Sequence, residues 1–138
     1  MITFTIYGNP VAQGRPRAFI PKGQQGKWKH PIVTDPPNSR EWKRFVKTQA
    51  LGYKPDELHD GSIQLILDFF FLRPKSLPKK VTNHIKRPDI ENLAKAILDA
   101  LKGIFYRDDS QVNLLIARKK YCEEKEQPRV EVLIGHDG

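Results

Sequence analysis

The sequence predicts a small α/β (α+β) domain, with a mixed β-sheet packed against two main helices. Three observations carry that expectation. Apolar residues alternate at period two over residues 1–7, run almost unbroken over 62–72, and recur at spacings of three and four over 89–102. Strand and helix periods thus alternate along one chain, the pattern of a layered sheet-and-helix domain. A length of 138 residues suits one core that buries roughly two thirds of the unfolded surface, and is short for two. Residues 1–138 are therefore read as a single domain.

Strand one, 1–7, stops at Gly8-Asn9-Pro10, because glycine and proline punctuate strands and proline lacks a ladder donor. Residues 11–33 contain Gly14, Pro16, Pro21, Gly23, Gly26 and Pro31 without a sustained period. They also carry Arg15, Arg17, Lys22, Lys27 and Lys29 and no acid, so they read as a long basic loop. Connections beyond about 12 to 15 residues are uncommon in compact domains unless they bind something or are disordered. A helix is expected from Asn38 or Ser39, with either residue as N-cap, to near Gly52, its apolar face formed by Trp42, Phe45, Val46 and Gln49.

Residues 54–61 are turn-like. The stretch 62–72 (SIQLILDFFFL) reads as a central strand covered on one or both faces, with Asp68 either a satisfied structural carboxylate or part of a site. Residues 73–87 hold six Lys or Arg and no acid, and Pro74 and Pro78 argue against one continuous helix. The clearest helix is 89–102. Ile90, Leu93, Ala94, Ile97, Leu98 and Leu101 form its stripe, Asp89 can cap its start, and Gly103 can turn left-handed after it. A short connection, 105–109, leads to a strand ending near Tyr121, and a charged hinge, 122–128, leads to a last strand over 129–134. If the strands at 62 and 111 are parallel neighbours, the helix between them forms a right-handed crossover.

Charge narrows the function. Lys plus Arg number 24 against 16 Asp plus Glu, giving +8 and a pI near 9.7, a balance that favours anionic partners such as nucleic acid or a phospholipid surface. The single Cys122 excludes an intrachain disulfide framework and a Cys-cluster zinc site, and points to a reducing compartment. Its glutamate neighbours disfavour a thiolate. The four histidines show no metal-ligand spacing. No apolar stretch approaches the roughly 20 residues of a membrane span, and the opening ITFTI has no basic n-region, so it reads as a strand and not a secretory leader. A cytoplasmic location without membrane association is expected.

Two acidic clusters flank the patterned helix, Asp89 with Glu91 at its start and Asp108 with Asp109 beyond Gly103. Fourteen helical residues rise about 20 Å, so the clusters converge only if the chain after Gly103 turns back along the helix. Three or four carboxylates suit Mg²⁺, which prefers oxygen ligands and would polarise a scissile phosphate. The alternative is structural: Asp89 as an N-cap, Glu91 paired with Lys95, and Asp108-Asp109 as turn residues. Lys95 lies away from the apolar stripe, in register with Glu91 and Asp99, either as a double salt bridge or as a compact cation for phosphate charge. Phe19, Trp28, Phe105 and Tyr106 are candidates for stacking on bases or for packing.

The segments 87–95 (RPDIENLAK), 98–101 (LDAL) and 106–112 (YRDDSQV), with 8–17 (GNPVAQGRPR) near the start, resemble the RusA family of Holliday junction resolvases over residues 2–134. The resemblance implies a Mg²⁺-dependent endodeoxyribonuclease, with Mn²⁺ a candidate substitute. It further implies a homodimer, encoded by bacteria or their phages, that nicks two strands of a four-way DNA junction symmetrically. It assigns Asp89, Glu91 and Asp109 as essential carboxylates with Asp108 alongside, and Lys95 as the functional lysine. Glu91 stands where the family commonly has Asp, one methylene longer. Arg15, Arg17, Lys75, Lys79, Lys80, Lys86 and Arg87 are expected to contact the DNA backbone. The alternative is a non-catalytic module that binds branched or duplex DNA through the same loops.

Overall fold

Strand β4 (Ile63–Phe71) is the centre of the molecule. In the computed structural model, which describes residues 1–14, 17–19, 32–34 and 37–136, Ile63, Leu65, Leu67 and Phe69 of this strand are buried on one face, while Gln64, Ile66, Asp68 and Phe70 are half-buried on the other. The strand is therefore covered by helices on one side only, and its apolar content follows from its central place. β4 pairs in parallel with β5 (Val112–Tyr121) and antiparallel with β6 (Arg129–His136). β1 (Ile2–Tyr7) flanks β6, giving the order β1-β6-β4-β5. The parallel neighbours β4 and β5 are joined through helix α2 (Ile90–Leu101), the crossover that the sequence pattern predicts.

Helix α1 (Pro37–Leu51) and α2 pack together over the covered face. The core joins Phe4 and Ile6 of β1, Trp42, Val46 and Ala50 of α1, Leu93, Ile97 and Leu101 of α2, and Val130, Val132 and Ile134 of β6. Fully burying each large aliphatic side chain contributes about 1.5–3 kcal/mol. Among the described residues no helix is long and apolar enough to cross a membrane.

Four expectations change. Between 11 and 33 the chain is not loop throughout: β2 (Arg17–Phe19) pairs antiparallel with β3 (Ile32–Thr34), each strand being three residues and too short to show a period. Helix α1 starts at Pro37, a residue tolerated in a first turn, and Ser39 does not cap it. The Ser39 hydroxyl instead accepts from the Gly14 N–H (2.9 Å) and donates to the Ala12 carbonyl (3.2 Å). Phe45 is 41% exposed, stacking on Trp42 beside Gly8, and Gln49 is exposed, so the buried face is Ser39, Trp42, Val46 and Ala50. In α2, Ile90 is exposed and Asp89, although at the N-cap, makes no side-chain cap bond; Ala96 and Ala100 complete the buried stripe.

Asp68 lies on the open face of the sheet as a satisfied carboxylate. Arg118 of β5 grips it through two hydrogen bonds (2.6 and 2.9 Å), and Lys120 stands 3.5 Å away.

Candidate active site

The site builds along the polar face of α2, where Glu91, Lys95 and Asp99 follow one another at four-residue spacing and so stack on successive turns. Glu91 and Lys95 are exposed and Asp99 is half-buried. Lys95 forms no ion pair with either neighbour among the described residues, and its charge is among those that act on the Asp109 carboxylate.

Asp109 comes within range of that charge because the chain reverses after α2. Gly103 takes φ +84° and its N–H donates to the Tyr106 carbonyl at 2.7 Å. A side chain there would be strained, which is why glycine ends this helix. Tyr106 is fully buried, and its hydroxyl donates to the Leu98 carbonyl at 2.7 Å, pinning the returning strand one turn back from the helix end. Burial, then the negative charges of Asp109 and Asp99, hold the Tyr106 hydroxyl far above its ordinary pKa, so it stays a donor.

Gln111 then fixes the turn Asp109–Gln111. Its side-chain oxygen accepts from the N–H groups of Arg107 (2.7 Å) and Asp108 (2.9 Å), and its amide donates to the carbonyls of His59 (2.7 Å) and Gly61 (2.9 Å). Asp108 caps this turn, accepting from the Ser110 N–H at 3.1 Å and from its hydroxyl, with Lys102 at 3.3 Å. These partners, the Ser110 bonds foremost, hold its carboxyl down at about 2. Asp108 is thus ionised and engaged in the turn.

Asp109 is presented differently. Its Oδ1 is buried and has no hydrogen-bond partner, and burial, followed by the nearby Asp99 charge, raises its pKa. A buried carboxylate oxygen without a donor is costly. Such an atom, with Asp99 beside it, is a donor set that suits a hard cation keeping part of its water shell. Asp99 is the site residue that sequence reasoning leaves out. The available signal was its i+4 register with Lys95, but it becomes meaningful only once the chain is known to return. Lys43 of α1 approaches Asp99 at 3.8 Å.

At the other end of α2, two structures meet the start of the helix. The segment ending at Gly14 is tied to the first turn of the helix, with the Gln13 N–H donating to the Asn92 carbonyl at 2.9 Å. Arg15 lies outside the described residues, and of Arg17 only the strand position in β2 is described. The second structure is the loop between β4 and α2. Arg73 folds it, donating to the carbonyls of Val81 (2.6 Å) and Pro78 (2.5 Å). His84 packs between Phe71, edge-on at 4.7 Å, and Tyr121, stacked at 4.6 Å. Lys119 lies opposite Phe69 in the β4–β5 register, hence on the helix side of the sheet. Its ammonium donates to the carbonyls of Lys86 (2.6 Å) and Pro88 (3.0 Å), the latter immediately before Asp89.

Two cations, Arg73 and Lys119, are therefore consumed in holding the loop. Lys75, Lys79, Lys80, Lys86 and Arg87 remain exposed and pair with no carboxylate among the described residues. The carboxylates stand in two groups, Asp89 with Glu91 at the start of α2 and Asp99 with Asp109 further along, Lys95 lying between. Among the described residues no set of three or more His, Cys, Asp or Glu side chains is arranged to hold a metal ion.

The model of the family described as "Endodeoxyribonuclease RusA" matches residues 7–135. The chain is 37% identical over 147 aligned residues to the uncharacterized protein YqaN of Bacillus subtilis (strain 168), covering 96% of this chain and 94% of that protein. It is also 33% identical over 89 residues to the crossover junction endodeoxyribonuclease rusA of Lactococcus phage r1t, covering 63% of this chain and 67% of the phage protein.

Proposed function

The chain belongs to the RusA endodeoxyribonuclease family, and on that premise we propose that it is a Mg²⁺-dependent endonuclease that nicks four-way DNA junctions symmetrically as a homodimer. The observation that carries this reading is the return of Asp109 onto the polar face of α2, where its unpartnered oxygen lies within the influence of both Asp99 and Lys95. Asp89, Glu91 and Asp109 are the proposed ligands, with Asp108 holding the turn that carries Asp109. A cation bound there, Mg²⁺ or Mn²⁺ in its place, supplies Lewis-acid polarisation of the scissile phosphate.

Lys95, a compact cation that pairs with no carboxylate among the described residues, neutralises charge developing on that phosphate. Lys75, Lys79, Lys80, Lys86 and Arg87, with Arg15 and Arg17 from the N-terminal loop, contact the backbone and position the junction without reading bases. A homodimer suits the substrate because a four-way junction has two equivalent scissile positions related by approximate two-fold symmetry.

One observation favours a second reading. The described carboxylates form no three-ligand metal site, as a module that binds branched or duplex DNA without cutting it would allow. Incubating a synthetic four-way junction with the protein and Mg²⁺, then repeating with Asp89→Asn and Asp109→Asn, separates the two. The nuclease reading expects paired nicks from the wild type, none from either variant, and binding retained by both. Absence of any divalent-dependent nick from the wild type would leave the binding module.

A further inference from the structure

Helix α1 carries Arg40, Lys43, Arg44 and Lys47 against one acid, Glu41. Successive helical residues turn by about 100°, so these four lie on one flank. That flank is roughly a quarter turn from the buried face of Ser39, Trp42, Val46 and Ala50, while Phe45 occupies the other side, against Gly8. Arg40, Arg44 and Lys47 are exposed and pair with no carboxylate among the described residues.

The arrangement works against the helix itself. Like charges at spacings of three and four repel. A cation in the first turn also opposes the helix dipole, and α1 has no acid there. An outside anion would relieve both costs. The flank's direction is fixed by Lys43, whose ammonium reaches Asp99 of α2 at 3.8 Å. It therefore adjoins the polar face that holds Asp109 and Lys95, at the end remote from the loop bearing Lys75, Lys79 and Lys80.

We propose that this flank of α1 is a second phosphate-backbone contact, gripping a duplex arm of the DNA at the Asp99 end of the site. The inference rests on the DNA-processing function above. It assigns no base recognition, because isolated cations on a helix flank act as point charges.

Equilibrium binding of a fluorescent synthetic four-way junction to the full chain, in EDTA and over about 50–200 mM salt, tests it. Each phosphate contact contributes about 0.9 to the slope of log K against log salt. The triple variant Arg40→Gln/Arg44→Gln/Lys47→Gln is expected to have a slope shallower by about 2–3 units. Arg40→Lys/Arg44→Lys is expected to keep the wild-type slope, since charge and not guanidinium geometry is used. A control remote from α1, Lys120→Gln/Lys125→Gln, is expected to change it by less than about half a unit. An unchanged slope in the triple variant, or an equal loss per charge in the control, overturns the proposal. A wild-type chain that binds no junction even at low salt refutes instead the function on which it rests.

Discussion

The two ends of α2 are held by opposite means. At the C-terminal end the chain is locked by a dense set of hydrogen bonds: Gly103 to Tyr106, Tyr106 to Leu98, and the four made by the Gln111 side chain. At the N-terminal end Asp89 makes no capping bond, and the residues leading to it hang on the Lys119 ammonium. One acidic group is preorganised by the fold, with its carboxylate left short of a partner. The other follows a cation-rich loop held by Arg73, His84 and Lys119, with no side-chain bond on Asp89 itself. The difference implies that the C-terminal end presents Asp109 in a fixed position, while the N-terminal end leaves Asp89 and Glu91 more room to adjust.

Four experiments sharpen or break that contrast. The largest effect is expected from Asp109→Asn, which should lower junction cleavage by about 10³-fold or more. The same variant should be slightly more stable than the wild type at neutral pH, because the raised pKa of Asp109 means that its charge is disfavoured in the folded state. Thermal unfolding beside the cleavage assay reads both, and a destabilised Asp109→Asn would mean that this carboxylate is structural.

Next comes Gln111→Ala, which leaves four backbone groups without their partner and should cost about 2–3 kcal/mol in urea unfolding. A loss below 1 kcal/mol would show that the C-terminal end is not locked as described. Lys119→Met should cost less, about 1–2 kcal/mol, while reducing kcat at constant junction affinity and leaving the salt slope of binding intact. A shallower slope would make Lys119 a DNA contact and not the anchor of the loop.

The smallest effect concerns pH. Burial and the neighbouring Lys119 lower the pKa of His84 below its ordinary value. The unfolded chain therefore takes up the proton first as pH falls, and stability is lost from about pH 6.5 downward through the folded pKa. His84→Phe should remove that part of the acid sensitivity while keeping the stack on Tyr121. An identical stability-versus-pH curve in the variant would show that the loop is not anchored through this ring.

The sheet and both helices were legible because their periods are long enough to count, as over 62–72 and 89–102. The β2–β3 pair was not, since three-residue strands carry no period and their pairing is a tertiary event. Phe45 looked like core because spacing alone cannot say which flank of a helix meets the sheet. The acidic residues of the site were visible as types. The left-handed turn at Gly103 was legible too, but the grouping was not, because it depends on the buried Tyr106 tying the returning chain to the Leu98 carbonyl. The same holds for Arg73 and Lys119, which in sequence are two more basic residues and in the fold are fasteners.

The ion pair on the uncovered face of the sheet reaches further than its position indicates. Asp68 and Arg118 stand opposite each other in the parallel β4–β5 ladder. Sliding β5 by one residue would break their match and turn each of its side chains to the wrong surface. It would also drag the preceding turn about 3.3 Å along the strand direction, carrying Asp109 out of step with Lys95. A charge pair remote from any chemistry thus reinforces the register that sets where Asp109 sits along α2.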